Sequence, residues 1–268
     1  MSNISRRQLL VGLGLGTGLV ASGFSLKKQT AFFGIRPSFA QNGNDDLQTI
    51  INLAATAELF AATHYLEASI NADALNLDDF ERSYMDAGVA TEYAHYELLV
   101  SLGAEPVVTE FYFPEGLFEN RSLFSAVTEI AETVFVGAYL AATRIFSEMG
   151  ATDLAVTAAQ IVGVESEHRA LARRMGLRLA TNIHYAGYVF DNVSDAVPIL
   201  QPFLDGQAEG FTGPVPALSA NEASAVATDI AERGLDNQVT LGGEAPIDAL
   251  PYALLASDAQ NEDSEAEE

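Results

Sequence analysis

The chain has 268 residues and a formal net charge of -24, with 37 acidic residues against 13 basic ones and no cysteine. The absence of cysteine excludes disulfides, thiolate metal ligands and thiol nucleophiles, so any bound metal must take oxygen and imidazole donors. So acidic a surface repels nucleic-acid phosphates and anionic lipid headgroups, which makes both poor partners; no nucleic acid is expected to bind.

The first forty residues read as an address. Ser5-Arg6-Arg7-Gln8-Leu9-Leu10 precedes an apolar, Gly-rich stretch that runs to about Ser25, the pattern of a twin-arginine export signal. Ser38-Phe39-Ala40 offers small residues for signal cleavage before Gln41; the alternative is an N-terminal anchor kept in place. Either way the folded part is expected outside the cytoplasm, periplasmic or extracellular, with no stable membrane insertion once the signal is removed. Residues 1–40 hold Arg6, Arg7, Lys27, Lys28 and Arg36. Their removal leaves 8 basic residues (13 less 5), no lysine, and a net charge of -29 (8 less 37). No second apolar stretch looks membrane-spanning.

Four long helices follow. Asp45 to about Ile70 is free of Pro and Gly, and Ile50, Leu53, Ala57, Phe60 and Ala61 recur at helical spacing. Residues 71–76 make a polar turn, and a second helix runs from Leu77 to about Leu102, closed by Gly103. The connection over 104–121 contains Pro106, Pro114 and Gly116. Its 18 residues can reach about 60 Å when extended, whereas a 25-residue helix is about 37 Å long. The segment can therefore run the length of a bundle and start the third helix from the far end. Ser122 is the expected N-cap of that helix, which runs to about Met149 and stops at Gly150. Thr152 is expected to cap a fourth, from Asp153 to about Asn182.

These predict an all-α fold: a four-helix bundle with one long crossover between its second and third helices. The bundle is assigned to residues 41–184. Residues 185–257, punctuated by Pro198, Pro202, Pro214 and Pro216, form an irregular extension packed on it, with a short amphipathic helix over Ser219–Arg233 stopped by Gly234. The acidic tail 258–268 is expected to be disordered.

Two Glu-x-x-His motifs, Glu92…His95 and Glu165…His168, lie in the second and fourth helices, and Glu58 and Glu132 lie in the first and third. Residues three apart share a helix face, so each motif aims a carboxylate and an imidazole at one volume. A carboxylate can bridge two cations while an imidazole binds one. The two halves echo each other: Glu58 precedes Tyr65 and Glu132 precedes Tyr139 by seven residues, and the Glu-to-Glu steps between helices are 34 and 33 residues. Glu58 sits among alanines and Glu165 follows Ile161-Val162-Gly163-Val164, where an unpaired carboxylate is costly. The six expected metal ligands are thus Glu58, Glu92, His95, Glu132, Glu165 and His168. Glu129, one turn before Glu132, is the substitute candidate. Tyr65 and Tyr139 are read as hydrogen-bond donors or redox-active groups beside the metals, or as plain core residues. His64 and His184 are read as structural or surface residues, and Glu97, Glu110 and Glu167 as solvated.

This pattern resembles the ferritin-like superfamily, and more closely the exported ferritin-like domain proteins related to plant desiccation-related proteins. The resemblance spans Asp45 to Ile183 and rests on Val164-Glu165-Ser166-Glu167-His168, on Ala131-Glu132 and on Ala138-Tyr139-Leu140; the stretch from Ala196-Val197-Pro198 to Phe203-Leu204 is similar to the C-terminal extension of that group. It implies two iron or manganese ions, bridged by Glu92 and Glu165 and held terminally by Glu58, Glu132, His95 and His168, that react with dioxygen or peroxide. The expected function is that of an oxidase, ferroxidase or peroxide-consuming protein in stress protection, compatible with a homo-oligomer. The alternatives are a non-catalytic structural or stress-protective bundle and an iron-storage protein.

Overall fold

The structure, a computed structural model, describes residues 43–233; the expected signal, the Gly234 stop, the rest of the extension and the acidic tail lie outside the described residues. Four long helices dominate: α1 (Leu47–Ile70), α2 (Asp79–Ser101), α3 (Arg121–Glu148) and α4 (Thr152–Met175). They pack as two hairpins, α1 with α2 and α3 with α4.

Side-chain caps set most of the helix starts. Asp46 accepts from the Thr49 amide at 2.8 Å and opens α1. Asp78 and Glu81 form a reciprocal capping box at the head of α2, two residues later than Leu77. The cap of α3 is Asn120, not Ser122: its carboxamide oxygen accepts from Leu123 N at 3.1 Å, which makes Ser122 already helical. α4 begins at Thr152 behind Ala151 with no side-chain cap, so the expected Thr152 cap is absent.

α4 also stops earlier than Asn182. Leu177 turns left-handed (φ 55), Arg178 N returns to Arg173 O at 2.9 Å, and the Arg173 Nε bonds Leu179 O at 2.6 Å. The turn delivers the Arg178 guanidinium to Glu129, which Arg173 also pairs, while Arg169 approaches it at 3.7 Å. An ion-pair cluster outweighs the helical propensity of the residues beyond Gly176.

Arg121 shows how the crossover is laid. At the first turn of α3 it pairs with Glu81 at the start of α2, donates to Asn76 O at 2.8 Å, and donates to Met175 O at the end of α4 at 3.1 Å. Residues 102–120 therefore run the length of the bundle, from the end of α2 back to the level of its start. They are not all loop: β1 (Glu110–Pro114) pairs antiparallel with β2 (Phe211–Pro216), with Phe111 opposite Val215 and Phe113 opposite Thr212.

The extension is accordingly more ordered than its proline content indicates. It contributes a 3-10 turn at Val193–Ala196, α5 (Val197–Asp205), β2 and α6 (Ala220–Glu232), the last close to the expected Ser219–Arg233. α5 drives Leu200 and Phe203 into the core, where Phe203 meets the ring of Phe60 edge-on at 5.1 Å. Asp45 ties the head of α1 to the extension by accepting from the amide and hydroxyl of Ser194, both at 2.8 Å. α3 is long and apolar enough to cross a membrane by length and composition, contrary to the expectation of no second such stretch; most of it is buried in the bundle, with Glu132 near its middle.

Candidate metal centre

Glu58, Glu92, Glu132 and Glu165 each sit near the middle of their own helix, and all four are at most 1% exposed. His168 is buried as well, and His95 is the one member with a partly open side chain, at 14%. An isolated carboxylate in such surroundings is strongly disfavoured, so four of them together require compensation.

The six side chains converge in two sets that share two members. Donor atoms of Glu58, Glu92, His95 and Glu165 lie within 4.8 Å of one another, as do those of Glu92, Glu132, Glu165 and His168. Glu92 directs Oε2 to His95 Nδ1 at 3.3 Å and Oε1 to His168 Nδ1 at 2.7 Å. Glu165 directs Oε1 to His95 Nδ1 at 3.5 Å and Oε2 to His168 Nδ1 at 3.6 Å. Both shared carboxylates therefore span the two imidazoles, one oxygen to each. Glu58 Oε2 lies 3.3 Å from His95 Nδ1 and belongs to that side alone.

Hydrogen bonds on the outer side fix these groups. Tyr65 on α1 donates to Glu132 Oε1 on α3 at 2.5 Å, and Tyr139 on α3 donates to Glu58 Oε1 on α1. The exchange crosses between hairpins, for a geometric reason. Seven residues along a helix is about 10 Å of rise, too far for a tyrosine to serve the glutamate of its own helix. An antiparallel neighbour brings the other glutamate level with it. Thr91, one residue before Glu92 and unmarked by any sequence signal, lies 3.2 Å from His168 Nε2. Its hydroxyl hydrogen is directed to the carbonyls of Ala87 and Gly88, both at 3.0 Å, so its oxygen accepts from Nε2–H. That assignment leaves the Nδ1 lone pair of His168 facing Glu92 and Glu165.

This donor set fits a cation. Glu92 Oε1, Glu132 Oε2, both oxygens of Glu165 and His168 Nδ1 are buried without an aligned hydrogen-bond partner, although His168 Nδ1 and Glu92 Oε1 are only 2.7 Å apart. Lone pairs that converge without hydrogens between them mark a place for positive charge. Without a metal, protons take that role. Burial and the charges of Glu165 and Glu92 hold Glu58 and Glu132 well above the usual carboxylate range. Both imidazoles are raised well above theirs: burial acts against the shift, but it is outweighed by Glu58, Glu165 and Glu92 together at His95, and by Glu92, Glu165 and Glu132 together at His168. Glu92 is lowered, because its contacts with His168 and His95 overcome its own desolvation.

The other sequence candidates lie elsewhere. Glu129 faces its arginine cluster and is no substitute for Glu132. His64 is buried, stacks on Phe124 at 4.9 Å between ring centroids, and bonds the Thr128 hydroxyl at 2.9 Å. His184, Glu97, Glu110 and Glu167 are exposed. Tyr84, unmarked in the sequence, brings its ring edge-on to Tyr65 and His168, with centroids 6.4 and 6.2 Å away.

An antiparallel four-helix bundle with a long crossover and a buried core of carboxylates and imidazoles able to bind metal defines the class of ferritin-like proteins. Residues 46–177 match the family model of the ferritin-like domain. Comparison with curated proteins and with solved structures gave no significant match.

Proposed function

We propose that the core cluster holds two metal ions, iron or manganese, in a site of dioxygen or peroxide chemistry: an oxidase, ferroxidase or peroxide-consuming activity in stress protection. The observation that carries this reading is that Glu92 and Glu165 each divide their oxygens between His95 and His168. Glu58 would complete the set around His95 and Glu132 that around His168. Four carboxylates balance two divalent charges, and hard oxygen donors with imidazole suit iron and manganese. Two such ions would supply the redox capacity to exchange electrons with dioxygen or peroxide.

The protein's own residues supply position and insulation. Tyr65 and Tyr139 hold the terminal carboxylates in one rotamer each, and Thr91 fixes the tautomer that leaves His168 Nδ1 free to bind. Helix packing excludes bulk water from all the donors except His95, whose partial exposure makes its side the accessible one. Arg6-Arg7 and the following apolar stretch support work outside the cytoplasm, and the similarity to desiccation-related proteins supports a protective role there.

Elemental analysis of the purified protein, beside a Glu165→Ala, His168→Ala double variant checked for helicity by circular dichroism, tests the reading. About two iron or manganese ions per chain, lost in the variant, are expected. Equal metal content in both proteins, or none after anaerobic reconstitution with Fe(II) or Mn(II), would overturn it. Loaded protein that leaves Fe(II) oxidation and peroxide decay at background would limit the metals to a structural role.

A further inference from the structure

A second feature lies against the metal side of the bundle. α1 and α3 part beneath the 3-10 turn and α5, leaving a narrow pocket whose lining includes Leu53, Ala57, Val107, Ala138, Leu200 and Leu204. Its lining extends along α1 from Ile50 to Phe60, about 15 Å at the rise of a helix, yet the cavity volume is only about 50 Å³. Of the rim residues, Leu53, Ala57, Val107, Ala138 and Leu204 are only half-buried.

The polar side chains of the lining are Thr56 and Tyr139, and both are already engaged. Thr56 donates to Asn52 O at 2.7 Å and accepts from Val107 N at 2.8 Å. The hydroxyl of Tyr139 is given to Glu58. A sugar, nucleotide or acid entering here would lose its hydrogen bonds to water and gain none, whereas dry apolar cavities take up hydrocarbon readily. Length with little width selects a chain over a ring system.

We propose that this pocket binds an unbranched aliphatic chain, entering beneath α5 and ending against the ring of Tyr139. Binding itself does not require the metal reading. Its consequence for the centre does rest on that reading: the ring that closes the pocket carries the hydroxyl that orients Glu58, so an occupant would bear on the His95 side.

Methyl NMR of the metal-free protein, titrated with decan-1-ol and separately with xenon, tests the binding. Saturable shifts from decan-1-ol confined to the methyls of the lining, those of Leu53, Val107, Val197, Leu200 and Leu204 among them, are expected. Val197→Phe, which fills the pocket from α5, should weaken the apparent Kd about tenfold or more. Ala142→Leu provides a milder filling, should the larger side chain disturb folding. Shifts with xenon but not decan-1-ol would show a cavity open only to small gases and would overturn the proposal. So would no response to either ligand, or undiminished decan-1-ol binding by both folded variants. None of these outcomes bears on the metal stoichiometry that tests the centre.

Discussion

The hydroxyl of Tyr65 on α1 reaches Glu132 on α3 at 2.5 Å, while Tyr139 on α3 reaches back to Glu58 on α1. Each hairpin thus orients the terminal carboxylate of the other, and neither half of the centre is complete within one hairpin. Tyr65→Phe keeps the ring but strands a buried carboxylate oxygen, a loss of about 1–3 kcal/mol in the metal-free protein. Metal affinity should fall by about 10- to 100-fold, as for other residues that support a ligand from outside. Chelator competition would measure it, and an unchanged affinity would leave Tyr65 a packing residue.

The two carboxylate pairs should differ in stoichiometry. Glu92 faces both histidines, whereas Glu58 faces only His95. Glu92→Gln is expected to reduce binding at both positions, and Glu58→Gln to leave about one ion per chain. Elemental analysis of the two variants decides; equal loss would remove the distinction between shared and terminal ligands.

Loading should stabilise the fold. Free metal at 100-fold its Kd adds about 2.7 kcal/mol if the unfolded chain does not bind it. Denaturant unfolding before and after chelation should show a shift of that order, absent in the Glu165→Ala, His168→Ala variant.

Two close-packed glycines should respond differently. A Cβ on Gly88 would stand 2.9 Å from Cγ of the fully buried Tyr65, at the root of its ring. A Cβ on Gly137 would meet Val189 at 2.8 Å and the ring of Phe190 at 2.9 Å, but Val189 is 60% exposed and lies outside any helix. Gly88→Ala should cost about 1–3 kcal/mol and weaken metal binding through Tyr65. Gly137→Ala should cost less and leave the metal untouched. Unfolding curves with metal titrations would expose a reversed order.

His64 predicts an acid limit. Burial lowers its pKa from 6.5 to about 3, and Thr128, whose hydroxyl donates to Phe124 O at 2.9 Å, accepts from its Nε2–H. The folded state keeps His64 neutral while the unfolded chain protonates it below pH 6.5. The stability it protects is thus present above pH 6.5 and lost as pH falls toward 3, by about 2 kcal/mol at pH 5. The raised carboxyls of Glu58 and Glu132 pull the other way, so the comparison must be with His64→Gln. Urea unfolding at pH 7 and pH 5 should show the smaller acid loss in the variant.

Much of the bundle was legible as sequence, because helical periodicity, the Glu-x-x-His spacing and the matching steps of 34 and 33 residues are local or nearly local signals. Their end points were less so. Asn120 in place of Ser122, and the stop of α4 at Met175, depend on which side chain wins a hydrogen bond or an ion pair, here Asn120 with Leu123 N and Glu129 with Arg178. β1 could not be read from its own five residues, since its partner β2 lies about a hundred residues away.

For the centre, the sequence by itself determined the face on which the glutamates and histidines lie, because helical spacing and an apolar setting leave few other places for them; that Glu132 and not Glu129 joins them was decided by the arginines that claim Glu129. Only the tertiary structure decided who holds them. The crossing of Tyr65 to Glu132 and Tyr139 to Glu58, the acceptance of His168 Nε2–H by Thr91, and the pocket behind Tyr139 all arise between elements distant in the chain. One-dimensional spacing fixes the face a residue occupies, but antiparallel packing fixes which residue lies opposite.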